Sequence, residues 1–161
     1  MRKVILATAP YVVFATTASA ADDRITRGEY LATIMDCAGC HTTSVFLGKA
    51  DPQRHLGGSE VGFQIPGLSI FYPPNLTPHP DDGIGAWSEA DIVTAVRTGV
   101  RPDGRILAPI MPYQHYGRLT DADAAALAAY LRSIPPVAQP APSNTGPSEK
   151  PVAAYLTVMM P

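Results

Sequence analysis

The chain has 161 residues and a mass of 17.0 kDa, the length of one ordinary domain, which excludes a two-domain enzyme with a separate substrate-binding half. Charged side chains make up 16%, the formal net charge is -2 and the pI is near 6.0, so no broad basic face is available for sequence-independent nucleic-acid binding. Seventeen prolines and 13 glycines exclude a simple helix bundle, and two cysteines within four residues of each other cannot form a disulfide framework.

The chain opens with two cationic residues, Arg2 and Lys3, then an apolar run from Val4 to Thr17 and the small-x-small triplet Ala18-Ser19-Ala20. This pattern predicts a signal peptide over residues 1–20 and a periplasmic protein; the apolar run is too short to span a bilayer, which needs about 20 residues. Cleavage after Ala20 would remove two of the 12 basic residues and none of the 14 acidic ones.

Three capping signatures follow, each a Ser or Thr with an acid three residues later: Thr26 with Glu29, Ser88 with Asp91, and Thr120 with Asp123. The first predicts a helix from about Arg27 to Asp36 with Tyr30, Leu31 and Ile34 on one face. The second predicts a helix carrying Ile92, Val93 and Val96 and closing at Gly99. The third predicts a helix with Leu127, Tyr130, Leu131 and Ile134 at helical spacing, stopped by Pro135-Pro136. The long segment between the first two helices has enough β-branched and aromatic residues in Val61 to Tyr72 for a hairpin. Pro135 to Pro151 holds six prolines in 17 residues and reads as an extended strap, and the apolar stretch Val152 to Met160 is expected to pack against the body.

The chemistry concentrates in Cys37-Ala38-Gly39-Cys40-His41. Two thiols at this spacing with an imidazole directly after them suit covalent attachment of one haem c. Each thiol adds to a vinyl group at the porphyrin edge, and the imidazole of His41 becomes an axial iron ligand. A thioredoxin-like dithiol would follow a strand, whereas helix precedes Cys37. A zinc site would need four ligands, and His55, His79 and His115 are single and far apart.

A low-spin haem needs a second axial ligand. Met111 lies 70 residues after His41, in a loop whose shape Pro109 and Pro112 restrict, and it is the first choice; His115 is the competitor. A thioether ligand stabilises ferrous iron and leaves no open position for oxygen or peroxide.

With these residues the chain resembles a class I c-type cytochrome. The resemblance rests on Gly28 and Tyr30 in the first helix, Cys37 to His41, and Leu127, Tyr130 and Leu131 in the last helix. It implies that the last helix crosses the first, with Gly28 allowing their close approach. The stretches Tyr72-Pro73-Pro74-Asn75-Leu76-Thr77-Pro78, Gly83 to Ser88, Arg97 to Gly104 and Met111-Pro112-Tyr113 are similar to the haem domains of cytochrome subunits in periplasmic alcohol, aldehyde and gluconate dehydrogenases. In those subunits the methionine before Pro-Tyr is the distal ligand. The resemblance also implies that Asn75, Thr77 or Trp87 lies near the haem propionates or the methionine sulfur, although turn structure for Asn75 and a core position for Trp87 fit the residues equally well.

The expected architecture is therefore all-α in outline, three to four helices around one haem with a small hairpin insertion. Residues 21–136 would form the cytochrome c domain and 137–161 the strap. The expected function is one-electron transfer between a dehydrogenase or quinol-linked donor and an oxidase or another cytochrome, without a stable membrane span and without catalysis of its own. The alternatives are an electron-accepting subunit of a multi-subunit dehydrogenase and, less in keeping with Met111, a haem catalyst. Arg97, Arg101, Arg105 and Arg118 are expected to make the segment around Met111 positive and to steer redox partners; the alternatives are that they only solvate the loop or that one of them binds a haem propionate.

Overall fold

The computed structural model describes residues 17–159. Five α-helices occur among them: α1 (Thr17–Ile34), α2 (Cys37–His41), α3 (Glu89–Thr98), α4 (Tyr113–Tyr116) and α5 (Asp121–Ser133). Three strands, β1 (Gly62–Ile65), β2 (Ser69–Phe71) and β3 (Tyr155–Leu156), form one small sheet in the order β2-β1-β3.

The capping signatures of α3 and α5 operate as read. Ser88 and Asp91 form a reciprocal capping box, and Gly99 ends α3 with φ 78°. The Thr120 hydroxyl accepts the Asp123 amide at the start of α5. The signature at Thr26 does not start a helix, because α1 already begins at Thr17 and runs through it. Alanine-rich sequence upstream extends the helix, and a cap competes poorly where helical residues flank it on both sides. Residues 1–16 of the expected signal peptide lie outside the described residues, and 17–20 lie in α1.

The buried stripe of α1 also differs from the expected one. Gly28, Leu31 and Ala32 are buried with Ile25 and Met35 packed beside them, whereas Tyr30 and Ile34 are exposed. The cause is Gly28. A Cβ there would lie 2.6 Å from Tyr130 Cβ and would also run into the Ala126 carbonyl, so the helix must turn this face to α5 for the two backbones to meet. Tyr30, about a hundred degrees round the helix from Leu31, instead lies under the Arg27 guanidinium, 5.2 Å from ring centroid to Cζ. Opposite, α5 contributes Leu127, Ala128, Tyr130 and Leu131 to the core, and α3 adds Ile92.

The expected hairpin is present, with β1 and β2 antiparallel and Phe63 opposite Phe71. The proline-rich segment wraps the body and is sewn to it by buried polar groups. Asn75 Nδ2 donates to the carbonyls of Val137 (2.8 Å) and Gln139 (3.1 Å), and the Val137 amide donates to Thr77 Oγ1. Thr145 bridges Ile70, after which β3 joins β1 in parallel through its backbone. Val152, Tyr155 and Leu156 keep exposed side chains, so the stretch expected to pack against the body does so only by strand pairing, and Met160 lies outside the described residues. Val158 and Met159 beyond β3 remain exposed. No helix among the described residues is long and apolar enough to cross a membrane.

Candidate haem site

Helix α1 stops at Ile34, and Asp36 takes a left-handed conformation (φ 54°) that turns the chain into the single turn of α2. One helical turn places residues i, i+3 and i+4 on the same side, so Cys37, Cys40 and His41 face together. All three line one cavity of about 510 Å³, a volume within the range of cofactor sites.

His41 is buried and its Nδ1 lies 2.8 Å from the Pro74 carbonyl oxygen. A carbonyl only accepts, so Nδ1 carries the proton and Nε2 is left with a free lone pair for a metal. Burial pushes the His41 imidazolium below its ordinary range, and the hydrogen bond to Pro74 only partly opposes it. The imidazole is therefore neutral, as an iron ligand must be.

Burial also raises the Cys37 thiol to about 11 and the Cys40 thiol above its ordinary value. A reactive redox dithiol needs the reverse, a depressed thiol, so this pair does not fit thioredoxin-like chemistry. Among the described residues no cluster of three or more His, Cys, Asp or Glu could hold zinc.

The opposite walls come from three places. The hairpin end gives Phe71, Tyr72 and Pro73; α3 gives Ala95 and Val96; and the segment before α4 gives Leu107, Ile110 and Met111. Met111 is partly buried in a tight turn, its amide donating to the Ala108 carbonyl and its own carbonyl accepting from Tyr113. Met35 also lines the cavity, from the end of α1. The remaining histidines do not line it, and His115, the competitor for Met111, is exposed on α4.

A sequence model of the family described as "Cytochrome c" matches residues 25–135. The chain belongs to the cytochrome c family. Haem c, attached covalently, is the cofactor that goes with this membership. The fructose dehydrogenase cytochrome subunit of Gluconobacter japonicus is 38% identical over 144 residues, covering 89% of this chain and 28% of the relative. The cytochrome c subunit of a quinone-dependent alcohol dehydrogenase of Gluconacetobacter polyoxogenes is 38% identical over 144 residues, covering 86% of this chain and 29% of the relative. A dihaem c-type cytochrome of Cereibacter sphaeroides is 36% identical over 110 residues, covering 68% of this chain and 36% of the relative. The chain thus spans well under half the length of these relatives, and it resembles cytochrome subunits of dehydrogenases as its motifs implied.

Asn75 and Trp87 both line the cavity, but differently. The Asn75 amide is consumed within the protein: Nδ2 holds the strap, and Oδ1 accepts from the Thr77 amide and hydroxyl. It therefore shapes the cavity through the 73–77 loop. Trp87 is partly buried with its ring 5.5 Å from Arg101 Cζ, and its carbonyl accepts from Arg132 Nη1. Arg101, read from the sequence as one charge of the positive segment, lines the cavity, and its buried Nε has no hydrogen-bond partner among the described residues.

Part of the expected positive segment is paired: two carboxylates, Asp103 and Asp121, face three of its four arginines. Arg97 pairs with Asp121 at 2.6 Å, and Arg105 pairs with Asp103 at 2.6 Å while Arg101 approaches the same carboxylate at 3.6 Å. Counting arginines along the sequence overlooked the aspartates that turn and helix-start geometry bring beside them.

Proposed function

We propose that this chain is a periplasmic monohaem cytochrome c domain that carries single electrons, in which Cys37 and Cys40 would anchor the haem through thioether bonds and His41 and Met111 would hold its iron. The observation that carries the reading is that a neutral, carbonyl-oriented imidazole, two protonated thiols and one loop methionine line a single apolar cavity. When bound, haem c supplies a one-electron change at iron. Everything else is supplied by the chain.

The residues present suit that group. Soft thioether and imidazole donors match haem iron, and apolar walls exclude the water that would stabilise ferric charge. Arg101 has a desolvated guanidinium with an orphaned Nε, and burial together with Arg105 lowers its affinity for its proton. A propionate carboxylate at this position would satisfy both the orphan and the charge. Trp87 would hold the guanidinium plane in place.

The side chains that would hold the iron are braced by their surroundings. His41 stays fixed by Pro74, and the prolines flanking the Met111 turn hold the thioether, so little reorganisation accompanies the change of charge. The same double ligation leaves no site for peroxide or oxygen. Export through residues 1–20 would supply the compartment in which c-type haem attachment is useful.

A second reading, an electron-accepting domain within a dehydrogenase, is favoured by the similarity to the fructose dehydrogenase cytochrome subunit. It shares the site and differs only in the partner. Potentiometric titration of the purified holoprotein tests the common core: one reversible one-electron wave is expected, with no carbon monoxide binding to the reduced form. Carbon monoxide binding to the native reduced protein would contradict double ligation.

A further inference from the structure

We propose that Tyr116 is a positioning residue for the axial methionine, a tether that holds the Met111 turn to the segment carrying the cysteines. The proposal rests on the reading of Met111 as ligand. Its basis is one long-range contact: Tyr116 Oη donates to the Met35 carbonyl at 3.0 Å, joining residues 81 apart in sequence.

Both ends of this bond are placed to matter. Met35 directly follows α1 and stands two residues before Cys37, so its carbonyl belongs to the group at a helix end that has no partner within the helix. Tyr116 ends α4, whose first residue directly follows Pro112. The Tyr116 amide donates to the Pro112 carbonyl and the Tyr113 amide to the Met111 carbonyl, so the turn and α4 move as one hydrogen-bonded unit. Tyr116 itself lines the cavity with Met111, Met35, Cys37 and Cys40.

The rest of α4 packs against α3. The Tyr113 ring lies 2.8 Å from where a Cβ on Gly99 would stand, and the same crowding would meet a Cβ on Gly117 at the Arg97 carbonyl. Those contacts fix α4 against the helix that forms one wall. They do not connect it to the segment bearing His41. The Tyr116 hydroxyl alone among α4 side chains makes a hydrogen bond to that segment in the described residues. A thioether is a weak iron ligand, so the probability that its loop is closed enters directly into how firmly it binds.

Tyr116→Phe keeps the ring and removes only the hydroxyl, and the position is only partly buried, so the variant retains the packing that folds the chain. Oxidised holoprotein is titrated with imidazole while the weak red absorption band of the thioether-iron bond is followed. Losing one ordinary hydrogen bond should make imidazole displace the methionine at roughly fivefold lower concentration. Tyr113→Phe, which removes a hydroxyl from the same helix without touching Met35, should titrate like the unaltered protein. A Tyr116→Phe titration that matches the unaltered protein overturns the tether and leaves the ligand reading intact. Equal shifts in both variants also overturn it, because they indicate general loosening of α4. Absence of the red band from the unaltered protein overturns the ligand reading and the tether together.

Discussion

The Nδ1 of His41 and the carbonyl oxygen of Pro74 lie 2.8 Å apart, and this contact fixes which nitrogen of the imidazole is available to a metal. Pro74 belongs to the segment leaving β2, so the hairpin, an addition to an otherwise helical fold, orients the proposed ligand next to the cysteines. The 73–77 loop is itself fixed by Asn75, whose amide bonds the strap at Val137 and Gln139. Orientation of the imidazole therefore depends on a chain of contacts that reaches the C-terminal third of the molecule.

Met111→Ala removes the proposed second ligand without disturbing that chain of contacts. The variant should keep its covalent haem, lose the red thioether-iron band, acquire carbon monoxide binding when reduced, and titrate at a lower potential. Visible spectra of the oxidised and reduced forms, together with potentiometry, check all four. Retention of the band would transfer the role to Met35, the other methionine lining the cavity.

Gly28→Ala tests the helix crossing. The added methyl would press on the Ala126 carbonyl and on Tyr130 Cβ, 2.6 Å away, and neither can withdraw without separating α1 from α5. Urea unfolding of the holoprotein should show a loss of about 3 kcal/mol, the upper end of what overpacking costs. A loss near zero would mean that the crossing is looser than the backbone contact indicates.

Much of this was legible in the sequence, for identifiable reasons. Caps and stops are local, so Ser88, Gly99, Thr120 and Pro135 gave usable boundaries for α3 and α5. The site motif is local too, because one turn of helix suffices to gather Cys37, Cys40 and His41. The buried face of α1 was misjudged because Leu31 and its neighbours were placed by apolar spacing alone, whereas the Gly28 crossing with α5, implied by the resemblance, is what sets the rotation of the helix. Tyr116 escaped notice, and Arg101 was read only as one charge of a positive segment, for the same reason: a hydroxyl on a distant carbonyl and an orphaned guanidinium leave no periodic trace.

Acid sensitivity follows from the ion pair between α1 and α5. The Arg27 side chain hydrogen-bonds Asp123 at 2.8 Å and holds its carboxyl below the ordinary 3.8. The unfolded chain therefore binds the proton more readily, and the stability that Asp123 contributes is present above pH 3.8 and is lost as pH falls through its lowered folded value. Asp91, lowered by its bond to the Ser88 hydroxyl, acts in the same direction. Arg27→Met should flatten the decline in unfolding midpoint between about pH 5 and about pH 2 relative to the unaltered protein. An identical decline in both would assign the acid response to other carboxylates.

The central claim is a single haem held by two thioether bonds to Cys37 and Cys40. Intact-mass spectrometry of the denatured, exported protein tests it most directly. The account predicts the mass of the polypeptide plus one haem, surviving acid-acetone extraction, and a loss of that stable adduct in the Cys37→Ser, Cys40→Ser double variant. A bare polypeptide mass for the unaltered protein would contradict it.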